Sequence, residues 1–263
     1  MAEQLTFPEV DAQKLTPYLP PNHPPPSANT DDAPIRPFVT LTFATSLDSS
    51  LSLAPGTRTR LSGPESKAMT HYLRSRHDAI CIGVGTANAD DPALNCRIAR
   101  CASQPRPVVL DPKGRWELGA GSKVLETVRA GRGLAPLVAT GVKGRLAYAD
   151  VLEEAGGKVI NVSVDRQGRF DWREVLEALG AEGIRSVMVE GGGVVINSLL
   201  DPANHSLIDA VIVTIAPTWL GQGGVVVSPA RVCEAGNAIP AARLSDVSWN
   251  PLGEDVVLCG RLR

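Results

Sequence analysis

Apolar runs of strand length alternate with segments of helical period along most of this chain. Phe38 to Ala44, Ala79 to Val84, Pro107 to Leu110, Pro136 to Ala139, Val159 to Val164, Ile184 to Val189, Ala210 to Ile215 and Val256 to Cys259 read as strands. Helical spacing covers Pro64 to Arg76, Tyr148 to Ala155, Trp172 to Leu179 and Val194 to Leu200. Asp171 stands where the third of these needs an N-cap, with Glu174 three residues on. Strands alternating with helices predict an α/β fold with a mostly parallel central sheet and flanking helices. After His205 the pattern changes. Asp209 to Pro217 and Asp255 to Leu262 read as strands with no helix of comparable strength between them, which predicts antiparallel C-terminal strands at one edge.

Composition alters this picture at the N-terminus. Between Pro17 and Pro37 the chain is dense in proline and poor in apolar side chains, so residues 1–34 are expected to be a proline-rich flexible tail, with a single domain over 35–263. The chain is 43% apolar, enough for a sizeable core. A net charge of −2 and a pI near 6.1 exclude broad attraction to nucleic acid or to an anionic membrane. The first residues lack a signal-peptide pattern, and no apolar run nears the roughly 18 residues of a membrane span, so a cytoplasmic location is expected. Five cysteines are an odd count that suits reduced thiols. Cys96 and Cys101 lack a second nearby ligand pair, and no metal is expected.

Candidate chemistry sits at strand ends, where open α/β sheets bind ligands. The run Ile184 to Val189 stops at Glu190-Gly191-Gly192-Gly193 before a helical pattern resumes. Glycines leave backbone amides uncovered, and the following helix turns its positive end to the same place, so the turn suits a phosphate. A glycine-rich turn without ligand would look the same. The second strand ends in Gly83-Val84-Gly85-Thr86, but Asn88 stands where a dinucleotide fingerprint has its third glycine, and Asp91-Pro92 stops a helix. A loop is expected there, with Thr86, Asp90, Asp91 and Arg97 as its polar residues. Acids suit ribose hydroxyls, and arginine suits a phosphate. The first strand runs into Ser46-Leu47-Asp48, whose acid could equally be a turn residue.

Together, Ser46-Leu47-Asp48, the Gly83-Val84-Gly85-Thr86 to Asp90-Asp91-Pro92 stretch with Leu94 and Arg97, and Val189-Glu190-Gly191-Gly192 resemble the riboflavin-biosynthesis reductase family, over about residue 36 to the C-terminus. The resemblance implies a dihydrofolate-reductase-like fold, NADPH as cofactor, and reduction of the ribosyl group of a phosphorylated ribosylaminopyrimidine to a ribityl chain. It also implies a homodimer. Carried over by position, Thr86, Asp90, Gly191, Gly192, Gly193, Val194, Val195 and Ile196 match cofactor contacts. Arg74, Leu94, Arg97 and Glu190 match the substrate side. Asp48 and Glu190 are the candidates for orienting the substrate or delivering a proton. The sequence departs from the family at Ser49-Ser50, where Gly-Lys or Gly-Arg is common. No His-x-Glu with Pro-Cys-x-x-Cys is present, so deamination is not expected.

Two other functions remain open on the residues alone: a pterin or folate reductase of the same fold, and a non-catalytic nucleotide-binding scaffold. The choice of NADPH over NADH requires a basic contact to the 2′-phosphate, for which Lys113, Arg115 and Arg60 are candidates. His71 and His77 read as surface or capping residues, His205 has no assigned role, Trp172 packs on the sheet, and Cys81 belongs to the core. The strand Ala210 to Ile215 could pair across a two-fold axis or lie inside the sheet.

Overall fold

The computed structural model describes residues 4–21, 36–99, 101–234, 237–239 and 242–263. Its helices are α1 (Glu9–Leu15), α2 (Pro64–Arg74), α3 (Val84–Asp90), α4 (Lys123–Arg129), α5 (Ala149–Glu154), α6 (Trp172–Ala181) and α7 (Gly193–Leu199). Its strands are β1 (Phe38–Thr45), β2 (Ser50–Ser52), β3 (Ala79–Gly83), β4 (Arg106–Leu110), β5 (Leu137–Thr140), β6 (Lys158–Asn161), β7 (Ser186–Gly191), β8 (Ala210–Ile215), β9 (Val225–Val226), β10 (Cys233–Glu234), β11 (Asn237–Ala238), β12 (Leu244–Leu252) and β13 (Asp255–Leu262). Among the described residues, nine of these strands form one sheet in the order β12-β13-β8-β1-β7-β3-β4-β5-β6. Pairing is parallel from β8 to β6 and antiparallel at β13 and β12. The parallel centre and antiparallel C-terminal edge are those the patterning predicts.

Strand residues alternate between two covered faces. Val39, Leu41, Cys81, Val187 and Val189 turn to one face, where Val175, Leu176 and Leu179 of α6 and Ile196 and Leu199 of α7 pack on them. Ile80, Ile82, Val109 and Val138 turn to the other, beneath Ala87, Leu125 and Leu152. Met188, Ile212 and Cys259 extend that second face under Leu15, Met69 and Leu73. With both faces covered, the central strands are apolar without a break, and β3 is buried along its whole length.

Several expectations are corrected. Residues 5–20 of the expected tail are folded: acids Glu9 and Asp11 open α1, and Ala12, Leu15, Tyr18 and Leu19 lie on one side at helical spacing and are buried. The proline-rich portion from 22 to 35 lies outside the described residues. The loop expected after Gly83 is a helix up to Asp90, ended by Asp91 in the left-handed region at φ 40°. β8 lies between β1 and β13, so both its edges are taken within the chain. His71 and His77 are buried, each 4% exposed, because the helix α2 that carries His71 lies flat on the sheet.

Candidate active site

A cavity of about 610 Å³ opens at the carboxyl ends of β1, β7, β3 and β4, where the sheet order turns back on itself. Thr86, Asp90, Glu190 and Gly192 to Ile196 wall it. Arg74 stands directly behind Glu190, whereas Asp48, Gly191, Leu94 and Arg97 do not line it. The structure thus gathers most of the expected cofactor residues with one substrate-side acid, and sets the other candidates around them.

The glycine turn makes a cradle. Gly191 and Gly192 have φ of 132° and 55°, which β7 needs in order to swing into α7. A Cβ on Gly192 would lie 2.7 Å from Thr86 Oγ1, and one on Gly83 would lie 2.9 Å from Val195 Cγ2, so the starts of α3 and α7 are pressed together. The first amides of α7, from Gly193 to Val195, have no partner within the helix, and these three residues line the cavity. Ile196 differs, since its N–H donates to Gly192 O at 3.0 Å and its side chain is buried; it contributes wall, not an amide. A cavity wall made of side-chain-free glycine, the first turn of a helix and a hydroxyl suits the diphosphate of a nicotinamide dinucleotide. At its rim the Asp90 carboxyl is pushed up by partial burial, against the pull of Arg58 and Lys123.

On the substrate side, Arg74 Nε and Nη2 donate to the two oxygens of Glu190 at 2.7 and 2.6 Å, and Nη1 donates to Asn95 O at 3.0 Å. Burial would lower the Arg74 pKa, but the charge and hydrogen bonds of Glu190 outweigh it and raise it. Arg74 therefore neutralises Glu190 and offers a phosphate less than the sequence suggests. Leu94, expected against substrate, is 3% exposed and packs in the core; its φ of 46° turns the chain so that Asn95 to Arg97 run beside α2. Arg97 is held by His71, with its backbone N–H 3.0 Å from Nδ1 and its Nη2 2.9 Å from Nε2. The imidazole is pushed down to about 3 by burial and by the charges of Arg74, Arg97 and Lys67, so at neutral pH it is uncharged and accepts from one of these donors at a time.

Asp48 is an anchor. It accepts from Ser46 Oγ, from Leu220 N at 3.2 Å and from Gly221 N at 2.7 Å, and these bonds, Ser46 first, hold its pKa below the usual value. The strand β9 that follows Gly221 pairs with β2, and Val225 packs where a Cβ on Gly193 would be. Asp48 thus fastens the segment that closes over the cradle. Ser49, which follows Asp48 in this turn, has φ 61°, in the left-handed region.

The far end of the cavity was little marked in sequence. Buried Asp111 accepts from Arg115 N at 2.8 Å, Trp116 N at 2.9 Å and Tyr148 Oη at 2.8 Å, and so fixes the turn that brings Arg115 to the wall. The Arg115 side chain hydrogen-bonds no described residue. Arg169 and Phe170, which line the cavity from the segment after β6, were not anticipated; their position just past a strand was the available signal. Lys113 crosses Gly168, where a Cβ would come 2.5 Å from its Cε.

The RibD C-terminal domain family matches residues 37–258. The chain is 42% identical over 260 residues to the 2,5-diamino-6-ribosylamino-4(3H)-pyrimidinone 5′-phosphate reductase of Eremothecium gossypii, covering 95% of this chain and 96% of that one. The reductase of the same name from Saccharomyces cerevisiae is 40% identical, with 90% and 91% covered. Among solved structures, the riboflavin biosynthesis reductase Rib7 of S. cerevisiae superposes with a TM-score of 0.77 at 36% identity, over 97% of this chain and 100% of that chain. RibD of Acinetobacter baumannii gives 0.67 at 26% identity, over 87% of this chain and 58% of that one.

Proposed function

The chain belongs to the RibD C-terminal domain family, and on that premise we propose that it is the reductase of riboflavin biosynthesis that converts the ribosyl group of 2,5-diamino-6-ribosylamino-4(3H)-pyrimidinone 5′-phosphate to the ribityl form with NADPH. The observation that carries this reading is that the Thr86–Gly192 cradle and the Arg74–Glu190 pair meet at one cavity, so a nucleotide and a sugar can be held side by side. The pterin or folate reductase and the scaffold are not favoured, since the relatives over nearly the whole chain carry the pyrimidinone phosphate reductase name.

When bound, the nicotinamide supplies a hydride to C1′ of the opened sugar. The amides of Gly193 to Val195 and the Thr86 hydroxyl hold the diphosphate, and Asp90 receives a ribose hydroxyl. Glu190, held as a carboxylate by Arg74, accepts hydrogen bonds from the sugar or the pyrimidine amines and orients the water that delivers the required proton. Arg97 is the partner of the substrate phosphate, and Arg115 supplies positive charge for the 2′-phosphate.

We read the assembly as a homodimer meeting along β12, an edge strand that exposes Val247 (44%) and Trp249 (60%). Five free thiols suit a reducing cytoplasm. No helix among the described residues is long and apolar enough to cross a membrane.

The test is loss of NADPH absorbance with the purified protein and the ribosylaminopyrimidine phosphate, beside Arg97→Ala. Turnover by wild type with a raised KM in the variant supports the assignment. Tight NADPH binding without turnover overturns it.

A further inference from the structure

The N-terminal segment carries no residue of the cavity wall, yet it grips the loop that bears Arg97. Leu5 forms a parallel bridge with Ile98: its N–H donates to Arg97 O at 2.9 Å, and its carbonyl accepts from the Ala99 N–H at 2.8 Å. Two residues on, Phe7 stacks on Tyr72 of α2, with ring centroids 5.1 Å apart. The segment is then pinned at its other end. Leu15, Tyr18 and Leu19 are buried, Tyr18 Oη donates to Asp246 O, and Arg261 Nη2 donates to Pro17 O at 2.8 Å.

The gripped loop is pinned just before Arg97, where Asn95 O accepts from Arg74 Nη1 at 3.0 Å and Cys96 exchanges two bonds with the Gln104 side chain, while Arg97 to Ala99 run on from these anchors. Between α3 and β4 the described residues form no helix or strand, and the bridge to Leu5 is their one strand-type pairing. On the other side, among the described residues, His71 holds Arg97 by accepting from its backbone N–H or from its guanidinium. Arg97 is therefore clamped between a ring on α2 and a strap from the chain's start. A guanidinium on a loop that lacks the strap would keep its contacts to His71 for a smaller fraction of the time.

We propose that residues 5–7 are positioning residues for substrate binding: Leu5 orders the Arg97 loop through its backbone, and Phe7 ties the strap to the helix that carries His71 and Arg74. The proposal rests on the reading of Arg97 as partner of the substrate phosphate. Neither residue touches a reacting atom. The strap acts on KM for the phosphorylated substrate and leaves the cofactor cradle alone, because the cradle is built from β7, α3 and α7.

Leu5→Pro in the full chain removes the N–H that reaches Arg97 O and leaves α1 intact, while Leu5→Val keeps both backbone bonds. Amide exchange at Ala99, KM and kcat for the ribosylaminopyrimidine phosphate, and the NADPH Kd by fluorescence quenching are measured together. Losing one net hydrogen bond predicts about 3- to 10-fold faster exchange at Ala99 and a similar rise in KM. kcat and NADPH Kd should not move, and Leu5→Val should match wild type. Should Leu5→Pro fail to fold, Phe7→Ala frees the strap from Tyr72 and is read in the same way. An unchanged KM beside faster exchange overturns the proposal, as does an equal loss of NADPH affinity. Arg97→Ala separates the premise: if it leaves KM unchanged, the phosphate reading is the part that fails.

Discussion

Arg74 and Glu190, 116 residues apart in sequence, meet in a two-bond fork with Nε–Oε1 at 2.7 Å and Nη2–Oε2 at 2.6 Å, each side chain only about one-seventh exposed (14% and 15%). The pair joins α2 to the end of β7 and presents an acid to the cavity whose charge is already balanced. Removing one partner leaves the charge of the other uncompensated where both side chains are largely buried. Arg74→Ala should cost about 1–3 kcal/mol of stability, and Arg74→Ala with Glu190→Gln less than the sum of the two single changes. Urea unfolding of the four proteins measures the coupling; simple additivity would show that the fork holds nothing together. In turnover, Glu190→Gln should lower kcat more than it raises KM if the acid serves the reaction.

Arg115 bears on cofactor choice. Its side chain is exposed at the cavity wall, hydrogen-bonds no described residue, and is presented by a turn that Asp111 locks through three accepted bonds. A 2′-phosphate would meet a guanidinium with all its donors available. Arg115→Ala should weaken NADPH about 10- to 100-fold, the worth of a charge-assisted hydrogen bond, and leave NADH unchanged. Titration of each dinucleotide by fluorescence quenching decides it, and an equal loss for both would place the arginine elsewhere on the cofactor.

Periodicity located the sheet because its central strands are apolar on both faces, and it placed the antiparallel edge because no helix pattern intervenes after His205. That Glu190 and the glycines lie at a strand end beside the cavity was legible for a similar local reason, since an apolar run that stops at three glycines marks where the strand turns into a helix. What stayed hidden depends on partners far away in sequence. Leu5 bridges Ile98, and α1 is buried only because Met69, Leu73 and Ile212 provide a surface for it, so a short helix near a proline-rich stretch read as tail. Leu94, matched to the substrate side by position, is 3% exposed and packs with the core at a positive φ that its sequence does not announce. The burial of His71 and His77 is likewise set by the packing of α2, not by its own sequence.

Those two histidines predict acid lability. Burial, the largest cause for each, pushes His71 down to about 3 and His77 to about 4, while both titrate near 6.5 when unfolded. Their folded pKa values lie below the unfolded ones, so their contribution is fully present above about pH 6.5. It is lost as pH falls toward 4 and then 3, because the unfolded chain takes up the protons. Each adds a limiting slope of about 1.4 kcal/mol per pH unit within that window. His77 is the cleaner test, its ring lying between Leu73 O and Thr40 Oγ1, both at 2.7 Å. His77→Gln should lower stability at pH 7 yet flatten its fall between pH 6 and 4.5. Chemical denaturation across that range would reject the assignment if the slope were unaltered.

Asp48 supplies the last prediction, because its hydrogen bonds support an anchoring role beside the catalytic one expected from the sequence. A proton donor needs a carboxyl that holds its proton near working pH, whereas Ser46 and the amides of Leu220 and Gly221 hold Asp48 below the ordinary range. Its oxygens are occupied in keeping the segment before β9 against the cradle, where Val225 lies over Gly193. Asp48→Asn retains one acceptor oxygen and about the same shape. If anchoring is the role, the variant keeps the acid limb of the kcat profile where wild type has it and weakens NADPH by about 3- to 10-fold, the cost of a hydrogen bond made poorer. A general acid would behave otherwise: kcat would collapse, the limb would shift or vanish, and cofactor affinity would stay. The pH profile and the NADPH titration of one variant therefore distinguish the two.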